Sequence, residues 1–406
     1  MKPRRDLIFD GAGTYRPHQK TEVCAIMSAS QYLLPTGYAN TPVAAADGSL
    51  WVNHFSGLFR LYHGETSVIL TYRDDEQGLT WMPSAPLNPY YSHHSASLPS
   101  PVSFGSRVYV CCWDCQQKAS HILCFSSSGT MLWDLPVNGI CTNLIATTVG
   151  IFALCGSALK QIGNGTVENS ITLFTSGEII GHRVVEDRCF FVVHTEQQVR
   201  LLQVSGNLRL TADYLLDTGT YKFRLSVEYP LLTANHQNLF VFFKVTRDSF
   251  SGLDAYCFRF APNGEIVFEG QNRYGVSDPH RISMPGVVFA TETGFMYADV
   301  LCTEHLSCPR LIQVEKTHNN TVSVINLPEE VQSCDGYPPV VIGTHYFFPC
   351  YDMRDKLWIG LFHAGSFQMK RCPKFHTWFV HENRIWICRW KKSGYQIQQM
   401  PDWIKE

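Results

Sequence analysis

Short apolar runs and tight turns alternate along this chain with a long period. An apolar run reaches a turn, usually at Gly or Asn, and a second run rich in aromatic and β-branched residues follows. The clearest copy is Thr41-Pro42-Val43-Ala44-Ala45-Ala46-Asp47-Gly48-Ser49-Leu50-Trp51-Val52. The same turn recurs at Gly105, Gly150, Asp187, Asn238, Gly294, Gly343 and Asn383, a mean step of about 48 residues. The second runs include Ile151-Phe152-Ala153-Leu154, Cys189-Phe190-Phe191-Val192 and Leu239-Phe240-Val241-Phe242. Such runs, bounded by turn formers, read as strands, and apolar residues on both faces place them inside packed sheets. Each unit then carries a third strand, a Ser-Gly, Asn-Gly or Ala-Gly turn (Ser128-Gly129, Asn263-Gly264, Ala364-Gly365) and a more polar fourth strand such as Glu265-Ile266-Val267-Phe268. Helical periodicity is almost absent.

Four antiparallel strands per repeat make one propeller blade. The expected fold is therefore all-β, a single eight-bladed β-propeller of four-stranded antiparallel blades over residues 1–406. Blade starts fall near residues 42, 101, 144, 182, 231, 287, 340 and 376. The last unit supplies three strands, so residues 24–33 are expected to add its fourth and close the ring through both termini, which removes exposed sheet edges. Seven blades is the alternative, with the short step from Gly150 to Asp187 as the unit in question. Prolines at 42, 101, 230, 285 and 339 precede first strands, where a missing N–H breaks no ladder bond.

The pattern Ser/Thr-Pro-Val, then Gly-x-x-Tyr/Trp-Val, then Gly-x-x-x-Trp resembles the repeat of quinoprotein-type (PQQ-like) β-propellers. Ser128-Gly129-Thr130-Met131-Leu132-Trp133 is the best match to its second half. The resemblance implies that Trp133 docks its blade onto the next. At matching offsets stand Phe268, Leu210, Met369 and Gln398, so the motif degenerates after the second blade.

Composition narrows the functional classes. Of 406 residues, 45% are hydrophobic and 17% charged, which marks a folded chain with ample core. The formal net charge of −2 supplies no field for nucleic acid or an anionic membrane. No apolar run is long enough for a signal core or a membrane helix. The 15 cysteines sit mostly within strands and read as reduced thiols of a cytoplasmic protein, or of one delivered into another cell by a route that leaves no apolar signal.

Function is sought in the connections between blades, which should share one rim. Arg73 to Ser100 carries Trp81, Tyr90, Tyr91, His93 and His94; Asp217 to Arg224 carries Tyr221 and Lys222; Gly270 to Met284 carries Arg273, Tyr274, His280 and Arg281. Tyr, Trp and Arg are the types that anchor interfaces, although such residues also pin their own loops. Neither a cofactor nor a metal is expected. His93 and His94 are adjacent and point to opposite sides of extended chain, and Cys112-x-x-Cys115 lacks a second pair. The vicinal pair Cys111-Cys112 invites comparison with the vicinal disulfide of quinoprotein dehydrogenases, but no acidic and amide cluster matches a calcium site. Asp74 to Trp81 loosely resembles the Asp-box turn of sialidases, whose chemistry needs three arginines and a tyrosine nucleophile. The reading is a monomeric, non-enzymatic platform for a protein partner, without nucleic acid or membrane insertion. A sialidase-like hydrolase, and after it a quinone-dependent oxidoreductase, are the alternatives.

Overall fold

The computed structural model describes residues 7–9, 15–17, 31–35, 39–54, 56–71, 81–83, 100–114, 119–195, 198–216, 231–247, 250–278, 280–303, 306–316, 321–334 and 338–400. Every regular element among them is a β-strand. The N-terminal segment contributes β1 (Leu7–Phe9), β2 (Tyr15–Pro17) and β3 (Gln31–Leu34). Blade 1 holds β4 (Val43–Ala44), β5 (Leu50–His54), β6 (Gly57–Tyr62) and β7 (Glu65–Thr71). Blade 2 holds β8 (Trp81–Pro83), β9 (Val102–Phe104), β10 (Arg107–Asp114), β11 (Ala119–Ser126) and β12 (Met131–Val137). Blade 3 holds β13 (Cys141–Ala146), β14 (Ile151–Cys155), β15 (Ala158–Ile162) and β16 (Val167–Thr172). Blade 4 holds β17 (Glu178–Val185), β18 (Arg188–His194), β19 (Val199–Val204) and β20 (Leu210–Leu216).

Blade 5 holds β21 (Leu231–Ala234), β22 (Asn238–Arg247), β23 (Phe250–Phe260) and β24 (Ile266–Ser277). Blade 6 holds β25 (Arg281–Ala290), β26 (Gly294–Thr303), β27 (Ser307–Glu315) and β28 (Thr321–Asn326). In blade 7 the first strand is split into β29 (Val331–Ser333) and β30 (Val340–Ile342), followed by β31 (His345–Asp352), β32 (Leu357–His363) and β33 (Ser366–Arg371). Blade 8 holds β34 (Thr377–His381), β35 (Arg384–Lys391) and β36 (Gly394–Gln399). Its fourth strand is β3, paired antiparallel to β36 with Tyr32 opposite Ile397. The ring is thus eight-bladed and closed by N- and C-terminal segments. The short unit after Gly150 is a complete four-stranded blade. Closure uses residues 31–34; the rest of the expected 24–33 strand lies outside the described residues, apart from Gln31 to Leu33. A second contact is not visible in the sequence pattern: β1 pairs with β33, and β2 with β1, on the outer edge of blade 7.

The described residues form no single central core. The buried apolar side chains fall into eight clusters, and each spans one junction between neighbouring blades. Second strands supply the largest share because they are covered on both faces; β5 and β14 are buried along their whole length, whereas the outer strands β7, β16 and β28 are mostly exposed. Consecutive residues therefore serve different junctions. Phe190 and Val192 pack toward blade 5, while Cys189, Phe191 and Val193 pack toward blade 3. Trp133 does dock onto the next blade, lying edge-on to Tyr109 and against Gly165 of blade 3. Three of its four counterparts do not: Phe268 and Leu210 are exposed, and Met369 is buried toward the preceding blade.

The prolines divide. Pro42, Pro101 and Pro339 stand just before β4, β9 and β30, and Pro230 lies outside the described residues. Pro285 is inside β25, at a register shift between Pro285 and Val288. A bulge leaves proline's absent donor without consequence, and the first half of this strand, Arg281 to Met284, was hidden from a reading that started the strand at the proline.

Closure should be a measurable share of stability. Tyr32 stacks on Trp386 with centroids 6.2 Å apart and is 7% exposed. Tyr32→Ala is expected to cost about 3 kcal/mol by urea unfolding, against less than about 0.5 kcal/mol for Val68→Ala on the exposed face of β7. Buried thiols add a pH dependence. Burial pushes Cys189, Cys372 and Cys388 up to about 12. The folded state holds these protons more tightly than the unfolded chain, so their contribution is complete below the ordinary thiol value near 9 and is lost as pH rises toward 12. The urea midpoint should be flat from pH 7 to about 8.5 and fall steadily above it.

Candidate binding face

The up-and-down order of each blade decides where its connections emerge. Turns between first and second strands, and between third and fourth, lie on one face of the ring. Turns between second and third strands, and the links from one blade to the next, lie on the opposite face. Strands β7 and β20 therefore end, and β8 and β21 begin, on this second, connection face. Strand β8 marks it directly, because Trp81 to Pro83 pair with the connection-face end of β10 at Cys112 to Asp114.

Blades 5 and 6 project beyond the others on the same face. Strands β22 to β27 run 9 to 12 residues, whereas the second and third strands of the other blades run 5 to 8. The projecting part is organised around two fully buried carboxylates. Asp299 accepts from Ser283 Oγ at 2.8 Å and from Arg310 Nε and Nη2 at 2.8 and 2.6 Å. Asp254 accepts from Gln271 Nε2 at 3.0 Å, with Arg273 Nε 3.6 Å away, and Gln271 also donates to Tyr256 Oη. Ser283 N donates to Ser251 Oγ at 2.7 Å and joins the two blades. A buried carboxylate is tolerable only when paired and hydrogen-bonded, so these networks let a polar extension stand above the apolar junctions. Its outer surface is different in character. Ile282 and Met284, alternating with buried Ser283 along β25, are exposed, as are Arg281, His280 and Leu306.

The expected site residues separate on this frame. Gly270 to Met284 is not a loop: residues 270–277 finish β24 and residues 281–284 begin β25. Arg273 and Tyr274 are neighbours on a strand and so face opposite ways. Arg273 lies with Asp254 on the side toward blade 4. Tyr274 packs edge-on to Phe295 at 5.5 Å, toward blade 6. His280 and Arg281 sit at the turn, where Asp278 accepts from His280 N and pairs with Arg281 Nε at 3.4 Å. Trp81 is on the same face at blade 2. Tyr90, Tyr91, His93, His94 and Tyr221 lie outside the described residues.

Tyr274 also lines a crevice of about 410 Å³ on the outer wall between blades 5 and 6, with Phe240, Phe295 and Cys257 as its apolar part. Its charges are internally matched, since Lys316 pairs with Glu269 and donates to Asn238 Oδ1 at 3.0 Å. Burial pushes the Tyr274 phenol up to about 12 and also raises Cys257.

The two enzymatic alternatives find different outcomes at their residues. Arg273 and Arg281 belong to different strands and hold different carboxylates, Asp254 and Asp278. Cys111 and Cys112 are thiols outside any disulfide, on opposite faces of β10: Cys111 enters the core between blades 2 and 3, and Cys112 the core between blades 1 and 2. Cys115 and the segment 74–80 lie outside the described residues. Among the described residues no group of three His, Cys, Asp or Glu side chains is placed to hold a metal ion, and no helix is long and apolar enough to cross a membrane.

The apolar surface beside Arg281 escaped the sequence reading because Ile282 and Met284 were assigned to a loop. The alternation Ile282-Ser283-Met284 ahead of Pro285 was the available signal. The carboxylate networks should respond to truncation. Arg310→Leu leaves Asp299 buried without its cation and is expected to cost about 3 kcal/mol by urea unfolding, whereas Arg281→Leu, at an exposed pair, should cost less than about 1 kcal/mol.

No family model and no curated protein matches the chain. Solved structures do. BamB from Moraxella catarrhalis aligns over 92% of this chain and 100% of its own, at 9% identity and a TM-score of 0.52. The β-propeller domain of the Trilobed protease from Pyrococcus furiosus aligns over 75% of this chain and 94% of its own, at 8% identity and a TM-score of 0.44. The BP39L lectin from Burkholderia pseudomallei aligns over 85% and 98%, at 11% identity and a TM-score of 0.43. The likeness to BamB is one of fold alone, and at that level the chain resembles the quinoprotein-type (PQQ-like) β-propellers.

Proposed function

We propose that the protein is a non-enzymatic β-propeller that holds a protein partner on its connection face, centred on the projecting edge of blades 5 and 6. The observation that carries this reading is the exposure of Ile282, Met284 and Leu306 beside Arg281 at the end of an extension that two buried carboxylate networks keep rigid. Exposed apolar side chains grouped with arginine on a rigid support have the composition of an interface centre. A rigid support also lowers the ordering cost that binding must overcome. The thirteen cysteines of the described residues are thiols outside any disulfide, which fits action in a reducing, cytoplasmic compartment.

The test is a double variant, Ile282→Glu with Met284→Glu, compared with Val322→Glu on the exposed outer strand β28. A partner captured by the wild-type protein should bind the double variant at least about tenfold more weakly, with the Val322→Glu affinity unchanged and both variants melting as the wild type does. Equal affinity for all three proteins would remove this face from the reading.

A further inference from the structure

A second concave site lies on the connection face, at blade 7 beside its junction with blade 8. It is a crevice of about 400 Å³ lined by Lys356, Leu357, Arg371, Cys372, Pro373 and Lys374. Three of these six residues are cations and none is acidic. They come from two separate segments: Lys356 ends the turn between β31 and β32, while Arg371 and Lys374 flank the exit from β33. Both segments are fixed. Asp352 accepts from the backbone N–H groups of Arg354 and Lys356, and from Trp358 Nε1 at 3.2 Å, which locks the turn. Cys372 N donates to Leu357 O at 3.1 Å, which ties the exit to the neighbouring strand β32. Cys372 and Leu357 are themselves buried in the apolar core between blades 7 and 8.

The positive charge extends past the lining. Lys370 and Arg389 lie close enough to Cys372 to oppose the effect of burial on its thiol. Among the described residues, Arg389 donates to neutral amide oxygens, Gln396 Oε1 at 2.8 Å and Gln398 Oε1 at 3.1 Å. Asp352 faces Lys356 and holds its charge in part. Among the described residues, no carboxylate lies within ion-pair distance of Arg371 or Lys374. In a chain of net charge −2, this gathering is local. Like charges held together oppose each other, and an anion seated between them relieves that repulsion.

We propose that this crevice binds a small organic phosphate monoester. The dianion of such an ester matches three convergent cations, and the guanidinium fork of Arg371 suits two phosphate oxygens at once. The volume exceeds that of phosphate alone and falls in the range of small-molecule sites, about 300–1,000 Å³. Leu357 and Pro373 offer apolar surface for the organic part. The site is on the same face as the proposed partner surface but shares no residue with it, so each stands or falls separately.

Phenyl phosphate is the probe, measured by calorimetric titration against the full chain. The wild-type protein should bind it with a dissociation constant on the order of 0.1 mM, and inorganic phosphate several-fold more weakly. Arg371→Gln and Lys374→Gln should each weaken phenyl phosphate about tenfold. Both side chains are exposed, so both variants should keep the wild-type melting temperature. Arg371→Lys retains charge without the fork and should fall between. The Lys391→Gln, Lys392→Gln double variant removes two exposed cations from the nearby turn of blade 8 and should leave affinity within about twofold. Equal losses in that control would reduce the effect to general electrostatics and overturn the site, as would unchanged binding by Arg371→Gln and Lys374→Gln. Inorganic phosphate binding as tightly as the ester would remove the organic half of the assignment. Binding to phosphatidylcholine vesicles containing phosphatidic acid, with no binding of the soluble ester, would transfer the site to a lipid surface and overturn the proposal.

Discussion

The structure depends on apolar packing between neighbouring blades. A four-stranded sheet has two faces, and one blade alone cannot cover either of them. Eight clusters, one at each junction, supply the cover, and each is made from two blades. The arrangement is cooperative only if the last junction forms. That junction brings Tyr32 and Leu34 of β3 against Trp386 and Ile397 of blade 8 and Leu50, Val52 and Phe59 of blade 1. Burying a large apolar side chain contributes about 1.5–3 kcal/mol, so four residues of N-terminal strand carry more weight than their length suggests. Thr41 and Thr377, with hydroxyls 2.9 Å apart, and Tyr395 donating to Ala39 O add polar links across the same seam.

This constraint explains what was legible in the sequence. Second strands must be apolar on both faces, so Phe190-Phe191-Val192-Val193 or Phe240-Val241-Phe242-Phe243 announce themselves without any alignment. Turns announce themselves where the backbone enters the left-handed region, as at Gly48 with φ 80° or Asn383 with φ 56°. Blade number follows from those two signals. Three features did not follow. The β1–β2 hairpin on blade 7 pairs residues far apart in the chain through backbone bonds, which leave little trace in side-chain type. The first strand of blade 7 is divided between Val331–Ser333 and Val340–Ile342, each too short to register as a run. The stretch Gly270 to Met284 looks like a connection because Pro285 has the pattern of a strand start rather than of a bulge within one.

The candidate site was less legible than the fold for a related reason. Junction packing is the same demand repeated eight times, and it writes a periodic pattern. Binding surfaces arise where blades differ, and a difference has no period. Arg273 and Tyr274 illustrate the point. Side by side in the chain, they read as one cluster, yet strand geometry sends one toward Asp254 and blade 4 and the other into the crevice against Phe295 and blade 6. Only the sheet assignment separates them. Lys356, Arg371 and Arg389 illustrate the reverse, being scattered over three strands or turns in sequence and drawn together at the seam of blades 7 and 8.

Polar and apolar demands are met in different layers of the same strands. Near the ring's middle, β23 and β26 carry Tyr256, Phe258, Met296 and Tyr297 into junction cores. Farther along, the same β23 and β26 carry Asp254 and Asp299, held by Gln271, Arg273, Ser283 and Arg310. An apolar extension of equal height would expose sticky strand faces with no neighbouring blade to cover them. A fully exposed polar extension would have little to fix its shape. Buried carboxylates with charged and neutral donors meet both requirements, since each must keep its partners in place or bear the desolvation cost. The extension is therefore rigid without a core of its own, and its outward-facing Ile282 and Met284 are left free of any structural duty to the ring.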